Sequence, residues 1–454
     1  MEFKWLLISL CLVALLLLPL PTVLAAKVGD GSLPGVMDAM LKADFWVGKL
    51  DDPHQLILTS GGIAAFNQLI TQTMPQTVVD MDHYPETVDS ATLRRYLSAN
   101  RLPRGSEYYD NGTLLNGAFY DQIEQNLNLL GLLGQNPVSW GFTVRRTDLR
   151  TFPTDRAASE DDASDDFDRF QETAVNIAEP VVMLHRSADS QWIFVQLYNY
   201  RGWLRAADVA AASSRKEWQS RRSMKFVMIT GTKVAPRDTV MGRPIPEWRA
   251  GMGTRLPFLS MEQEGYVVEI PQRNSRGGLN WTKAWIHGKA DVSIGELPFT
   301  RANILRQAFK MLGENYGWGG LNEGRDCSSF IMDIYAVFGI RAPRNADQQE
   351  KVTGRRTVLS GISDSATRYR LLAQTAPGAT LHMNNHVMMY LGSHEGKHYA
   401  IHSLGSYGDA SRPRGDGSLP RIGVMEIVVS DLNLPLRSGR KFIEVLSSVN
   451  VWQL

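Results

Sequence analysis

The spacing of apolar positions changes character several times along the 454 residues, and each change marks a different kind of segment. Residues 5–20 form an apolar run behind Lys4, and Pro21-Thr22-Val23-Leu24-Ala25-Ala26 follows with small residues. A short cationic start, an apolar stretch and a Val-x-Ala cleavage site predict a secretory signal over 1–26. A retained anchor is the competing reading, because the run approaches the shortest length that spans a bilayer. Between 27 and 139 apolar residues recur at helical spacing over 63–70, 90–97 and 119–133, with Pro75, Pro85 and Pro103 as breaks. This predicts a mainly helical segment.

From 140 the pattern shortens to strands of four to eight residues at 144–149, 181–185, 192–197 and 202–209. The stretch 222–296 repeats that style at 226–230, 265–270 and 284–287. Trp285-Ile286 with Ala290-Asp291-Val292 echoes Trp203-Leu204 with Ala207-Asp208-Val209, as two small β-barrels in tandem would. An acidic run at 155–168 reads as a solvated loop, since it lacks the central glycine of an EF-hand. After 297 the helical period returns in Phe330, Ile331, Ile334, Val337 and Phe338, and Gly339 and Pro343 close that helix. Residues 386–392 and 398–404 read as two strands with Gly396 in the turn between them.

Composition narrows the chemistry. A net charge of +1 with 21% charged residues excludes bulk electrostatic attraction to nucleic acid. Of the two cysteines, Cys11 falls inside the signal, so the exported chain keeps Cys327 alone and forms no internal disulfide. Asp326 is placed to cap the 328–338 helix, which puts Cys327 in a first turn whose amides favour the thiolate. The bland alternative is a packed cysteine beside a capped helix.

Five of nine histidines lie between His382 and His402. His386 serves as general base and His402 orients it if the two share one face of a hairpin, which an odd-numbered loop near 393–397 allows. His394-x-x-x-His398-x-x-x-His402 has the spacing of a metal site on a helix, but glycines at 392, 396, 405 and 408 argue against helix there. Neither metal nor cofactor is expected.

Five motifs in order resemble the NlpC/P60 cysteine peptidases: Tyr316-Gly317-Trp318-Gly319-Gly320, Asp326-Cys327-Ser328, Pro343-Arg344-Asn345-Ala346-Asp347-Gln348, His386-Val387-Met388-Met389-Tyr390-Leu391-Gly392 and Ile401-His402-Ser403. Ser329 and Met388 stand where many members have glycine. The resemblance covers roughly 299–454. It implies a multidomain α+β protein: a papain-like catalytic domain over 297–454, SH3-like domains over 140–221 and 222–296, and a helical stabilising segment over 27–139.

The implied activity is a γ-D-glutamyl-L-diamino acid endopeptidase with a catalytic triad of Cys327, His386 and His402. The resemblance further implies that Asp326, with Tyr200 from the first SH3-like domain, holds the free amine of an N-terminal L-Ala. Tyr316 is a candidate for the oxyanion or substrate, Ser328 for a substrate carboxylate or carbonyl, and Trp318 for packing beneath the helix. Arg344 and Asn345 are weaker candidates for substrate contact. Partners are peptidoglycan stem peptides or muropeptides, with no nucleic acid and no stable membrane span after signal cleavage. The location is exported, periplasmic or envelope-associated. Two other readings stay open: a peptidoglycan-binding protein with an inactive peptidase domain, and a papain-like amidase or acyltransferase.

Overall fold

The computed structural model describes residues 33–453 except 163–165, 263 and 353, so the expected signal and Cys11 lie outside the described residues. Four short helices lead the chain: α1 (Ala43–Val47), α2 (Ser60–Thr73), α3 (Ser90–Leu97) and α4 (Gly117–Asn126). Thr59, Asp89 and Asn116 cap the last three, each accepting from an amide of the first turn. The helix expected over 119–133 stops at Asn126, and Asn128 turns the chain away at a left-handed φ of 55°. This segment has no core of its own. Trp46, Phe66 and Ile70 are buried with the C-terminal domain, whereas Leu93, Phe119, Tyr120 and Ile123 are buried with the first sheet.

That first sheet is antiparallel and seven-stranded: β1 (Ser139–Thr143), β2 (Thr147–Arg150), β3 (Gln171–Val175), β4 (Pro180–Arg186), β5 (Trp192–Gln196), β6 (Arg201–Arg205) and β7 (Val209–Ala211). Its spatial order is β7-β1-β4-β5-β6-β2-β3, which leaves β3 at an edge. A helix that the strand pattern did not predict, α5 (Arg215–Arg222), is capped by Ser214 and buries Trp218 against the sheet through a bond to the Gly141 carbonyl.

A second antiparallel sheet follows, built from β8 (Phe226–Ile229), β9 (Arg237–Asp238), β10 (Arg255–Glu262), β11 (Gly265–Arg273), β12 (Leu279–His287) and β13 (Val292–Ile294) in the order β9-β12-β11-β10-β8-β13.

The C-terminal domain sets helices against a third antiparallel sheet. Its elements are α6 (Arg301–Lys310), α7 (Cys327–Ala336), α8 (Ala346–Gln349), β14 (Arg355–Val358), α9 (Ser365–Ala373), β15 (Thr380–Met383), β16 (His386–His394), β17 (Lys397–Gly408), β18 (Arg421–Asp431), α10 (Phe442–Val445) and β19 (Ser448–Val451). The strand order is β14-β19-β15-β16-β17-β18, and α7 packs across β16 and β17. Phe330, Ile331, Ile334, Val337 and Phe338 are buried there against Val387, Met389 and Ile401, as their helical spacing predicts. Among the described residues no helix is long and apolar enough to cross a membrane.

One junction joins the first sheet to this domain. Gly319 and Gly320 adopt φ of 56° and 84°, and edge strand β3 rests directly on them. Gln171 Nε2 donates to the Gly319 carbonyl at 3.0 Å, and Arg146 donates to that of Gly320 at 2.5 Å. Trp318 also turns toward the first domain, against Phe167 and under Arg169; it does not pack beneath α7 as expected. A β-carbon on Gly320 would come within 2.5 Å of that of Ala174. Gly320→Ala therefore costs about 1–3 kcal/mol from backbone strain and overpacking. Urea unfolding reads this as a lower midpoint, and an unchanged midpoint would show that the junction is not tightly packed.

Candidate active site

Cys327 is the first residue of α7, behind Asp326, whose carboxylate accepts from Ser329 N at 2.8 Å. The backbone N–H groups of Val387 and Ser328 lie near enough to the sulfur to favour its charged form, which puts the thiol by the start of β16, where His386 precedes Val387. His386 Nε2 lies 2.7 Å from His402 Nδ1, and His402 Nε2 lies 2.9 Å from Ser430 Oγ. For the remaining nitrogen of His386, Nδ1, to accept a proton, Nε2 must carry one and donate it to His402; the same logic makes His402 the donor to Ser430. Phe442 packs edge-on against the His402 ring, which is fully buried, while His386 is half-buried.

The two histidines share a face by a route other than the expected odd loop. The turn has only two residues, Glu395 and Gly396, with φ of 50° and 76°. A two-residue turn alone would put His386 and His402 on opposite faces. A bulge at Leu391, between the pairs Tyr390↔Ala400 and Gly392↔Tyr399, shifts the register by one and restores them to one face. The histidines with metal-like spacing are apart in kind. His394 meets Lys49 Nζ at the end of β16, His398 bonds the Tyr390 hydroxyl at 2.7 Å, and His402 belongs to the pair above. Among the described residues no cluster of three or more His, Cys, Asp or Glu is arranged to hold a metal ion.

On the other side of the sulfur, Asp326 and Arg344 form a buried ion pair at 2.5 Å. Arg344 also donates to Thr173 Oγ1 of β3 at 2.6 Å and to Ser328 Oγ at 2.8 Å. Gly319 N and the Ser328 hydroxyl complete the bonds to Asp326. The expectation that Asp326 and Ser328 face substrate thus meets a closed network: a substrate group has to displace one of these bonds to reach either. Arg344, weighed as a substrate contact, is committed to Asp326. Nearby, the Tyr200 hydroxyl donates to Glu172 Oε2 at 2.5 Å, while Thr151 holds Glu172 Oε1. Tyr316 lies beside Asp326 and Cys327, and its hydroxyl makes no hydrogen bond among the described residues.

Residues 313–416 match the NlpC/P60 family, and 156–205 match an SH3 domain of the SH3b1 type. The chain carries an NlpC/P60 domain. An NlpC/P60 endopeptidase from Photobacterium damselae subsp. piscicida shares the fold with a TM-score of 0.72 at 18% identity, over 90% of this chain and 96% of its own. An NlpC/P60 family protein from Bacillus cereus ATCC 10987 aligns over 70% of this chain and 100% of its own at 19% identity, with a TM-score of 0.48. No curated protein sequence matches the chain. Cysteine peptidase chemistry directed at the cell wall is the general function that the family supports.

Electrostatics in the NlpC/P60 domain favour a neutral resting site. Burial, then the Asp326 carboxylate, push the Cys327 thiol up to about 12. Burial holds the His386 imidazole down to about 4, and burial and then His386 hold His402 well below the ordinary histidine value. Burial also opposes charge on Asp326, but Arg344 outweighs it and keeps the carboxyl below its ordinary range.

Sequence reasoning missed Ser430 and Glu172. Ser430 ends an apolar strand run with nothing to mark it, and only strand pairing brings it to His402. Glu172 lies in β3, a stretch that the strand pattern left unassigned, though its alternation in Gln171-Glu172-Thr173-Ala174-Val175 was a usable signal.

With the resting thiol protonated, alkylation of Cys327 by iodoacetamide keeps rising as pH increases past about 8.5, the ordinary thiol value. A rate already level at neutral pH would instead mark a preformed thiolate–imidazolium pair.

Proposed function

We propose that the chain is an exported cysteine endopeptidase that cleaves the γ-D-glutamyl–diamino acid bond of peptidoglycan stem peptides bearing a free N-terminal L-Ala. The arrangement of Cys327 beside the His386–His402–Ser430 chain carries this reading. His386 Nδ1 takes the thiol proton as sulfur attacks the γ-carbonyl carbon, forming a tetrahedral oxyanion. The Cys327 amide at the helix start and the Tyr316 hydroxyl receive that charge in this reading. As the C–N bond breaks, His386 returns the proton to the leaving amine of the diamino acid. A water molecule, activated by the same imidazole, then hydrolyses the thioester. His402 and Ser430 fix the ring and its tautomer throughout.

The substrate amine is assigned to the Glu172–Tyr200 pair. A carboxylate with a phenol hydroxyl beside it suits an ammonium, and β3 carries it to the edge of the site through Thr173 and Arg344. Asp326 contributes through Arg344 and the helix cap. The sheet holding Glu172 acts in this reading as a wall of the groove, admitting peptides that end there.

Mass spectrometry of L-Ala-γ-D-Glu-meso-diaminopimelate incubated with the mature protein tests this. Wild type releases L-Ala-D-Glu, Cys327→Ala does not, and the N-acetylated peptide stays intact. Glu172→Gln raises KM about tenfold or more, the loss expected for one hydrogen bond to a charged group. Cleavage by Cys327→Ala would remove the nucleophile, and equal cleavage of the acetylated peptide would remove the amine pocket.

A further inference from the structure

A second concave site lies where the two β-sheets meet the flank of α7. It is a cavity of about 400 Å³, and none of Cys327, His386, His402, Tyr316, Tyr200 or Glu172 lines it. Ser223 and Arg255 among its lining residues are exposed, so it reaches the surface between α5 and β10. Its apolar wall includes Ile177, Leu197, Met252 and Met332. The volume falls within the range that accommodates small ligands.

The charged groups around it sort into two classes. Arg221 pairs with Glu269, Arg222 with Asp82, Arg255 with Glu296, Asp333 with Arg325, and Arg344 with Asp326. Glu179 and Arg341 are different. Each reaches the cavity, and among the described residues neither side chain makes a hydrogen bond or an ion pair; their bonds run through the backbone, Glu179 with Thr143 and Arg341 N to Asn67. The two interact electrostatically across the space without closing on each other. Both side chains are half-buried at the cavity wall, so a carboxylate and a guanidinium there keep their bonding capacity for an occupant. Burial lifts the Glu179 carboxyl to about 7 even with Arg222, Arg255 and Arg341 nearby, as expected of an acid short of a direct cationic partner.

We propose that this cavity binds a short zwitterionic peptide, its ammonium on Glu179 and its carboxylate on Arg341. The complementary charges line one cavity, and its apolar wall suits small side chains. A simple anion would leave Glu179 unmatched, and a simple cation would leave Arg341 so. Arg344 lines the cavity and also holds Asp326 beside the nucleophile, so an occupant sits one side chain from the peptidase site.

Isothermal titration calorimetry on the full mature chain carrying Cys327→Ala tests the proposal, with L-alanyl-L-alanine as probe beside its N-acetyl and C-terminal amide forms. The unblocked dipeptide binds, and blocking either end weakens binding at least tenfold. Glu179→Gln and Arg341→Gln each reproduce that loss, Arg341→Lys retains most of the affinity, and Glu172→Gln leaves it unchanged. Thermal melts of each variant confirm that it is folded. No binding at millimolar dipeptide would overturn the proposal, as would binding that survives Glu179→Gln and Arg341→Gln. Binding lost only in Glu172→Gln would assign the dipeptide to the catalytic groove and equally overturn it.

Discussion

The buried ion pair between Arg344 and Asp326 is the constraint on which the site depends. Two charges shielded from water are stabilising only when nearly every bond they offer is met, and breaking such a pair typically costs about 3–5 kcal/mol. Here Thr173, Ser328, Ser329 N and Gly319 N supply the remaining partners. Those partners belong to the edge strand of the first sheet, the start of the nucleophile helix and the glycine loop before it. One pair therefore fixes three elements around one sulfur. The location of Cys327 is a property of the interface between domains as much as of the helix that carries it.

The same pair shapes the chemistry. A carboxylate adjacent to a thiol opposes its ionisation, and Arg344 moderates that effect without cancelling the burial of the sulfur. The imidazole beside it is likewise held neutral, and its ring is tied through His402 to Ser430. The SH3 domain enters this arrangement directly: β3 bears Glu172, which faces the Tyr200 hydroxyl, and Thr173, which faces Arg344. The contact with β3 is close enough that a side chain at Gly319 or Gly320 would meet Gln171 or Ala174, which accounts for the paired glycines there.

Local signals were readable and long-range ones were not. Helical spacing and the Asp326 cap located α7, because both depend on residues within a few positions of each other. The short apolar runs around Gly396 located β16 and β17, but their parity was misassigned: the bulge at Leu391 that brings His386 and His402 together has no marker beyond Gly392. Arg344 was visible in its motif, yet its commitment to Asp326 depends on a strand 171 residues earlier in the chain, through Thr173. The N-terminal helices were found by period, while their division between two cores arises only in the assembled molecule.

The central claim, that Arg344 and Asp326 act as one unit holding the nucleophile, is tested most directly by a double-mutant cycle of Arg344→Gln and Asp326→Asn, scored by urea unfolding and by kcat/KM on the tripeptide. The account predicts that each single change is strongly destabilising and depresses kcat/KM, and that the double mutant is less harmed than the sum, with a coupling of about 1–3 kcal/mol. Additive losses in both measurements would contradict it.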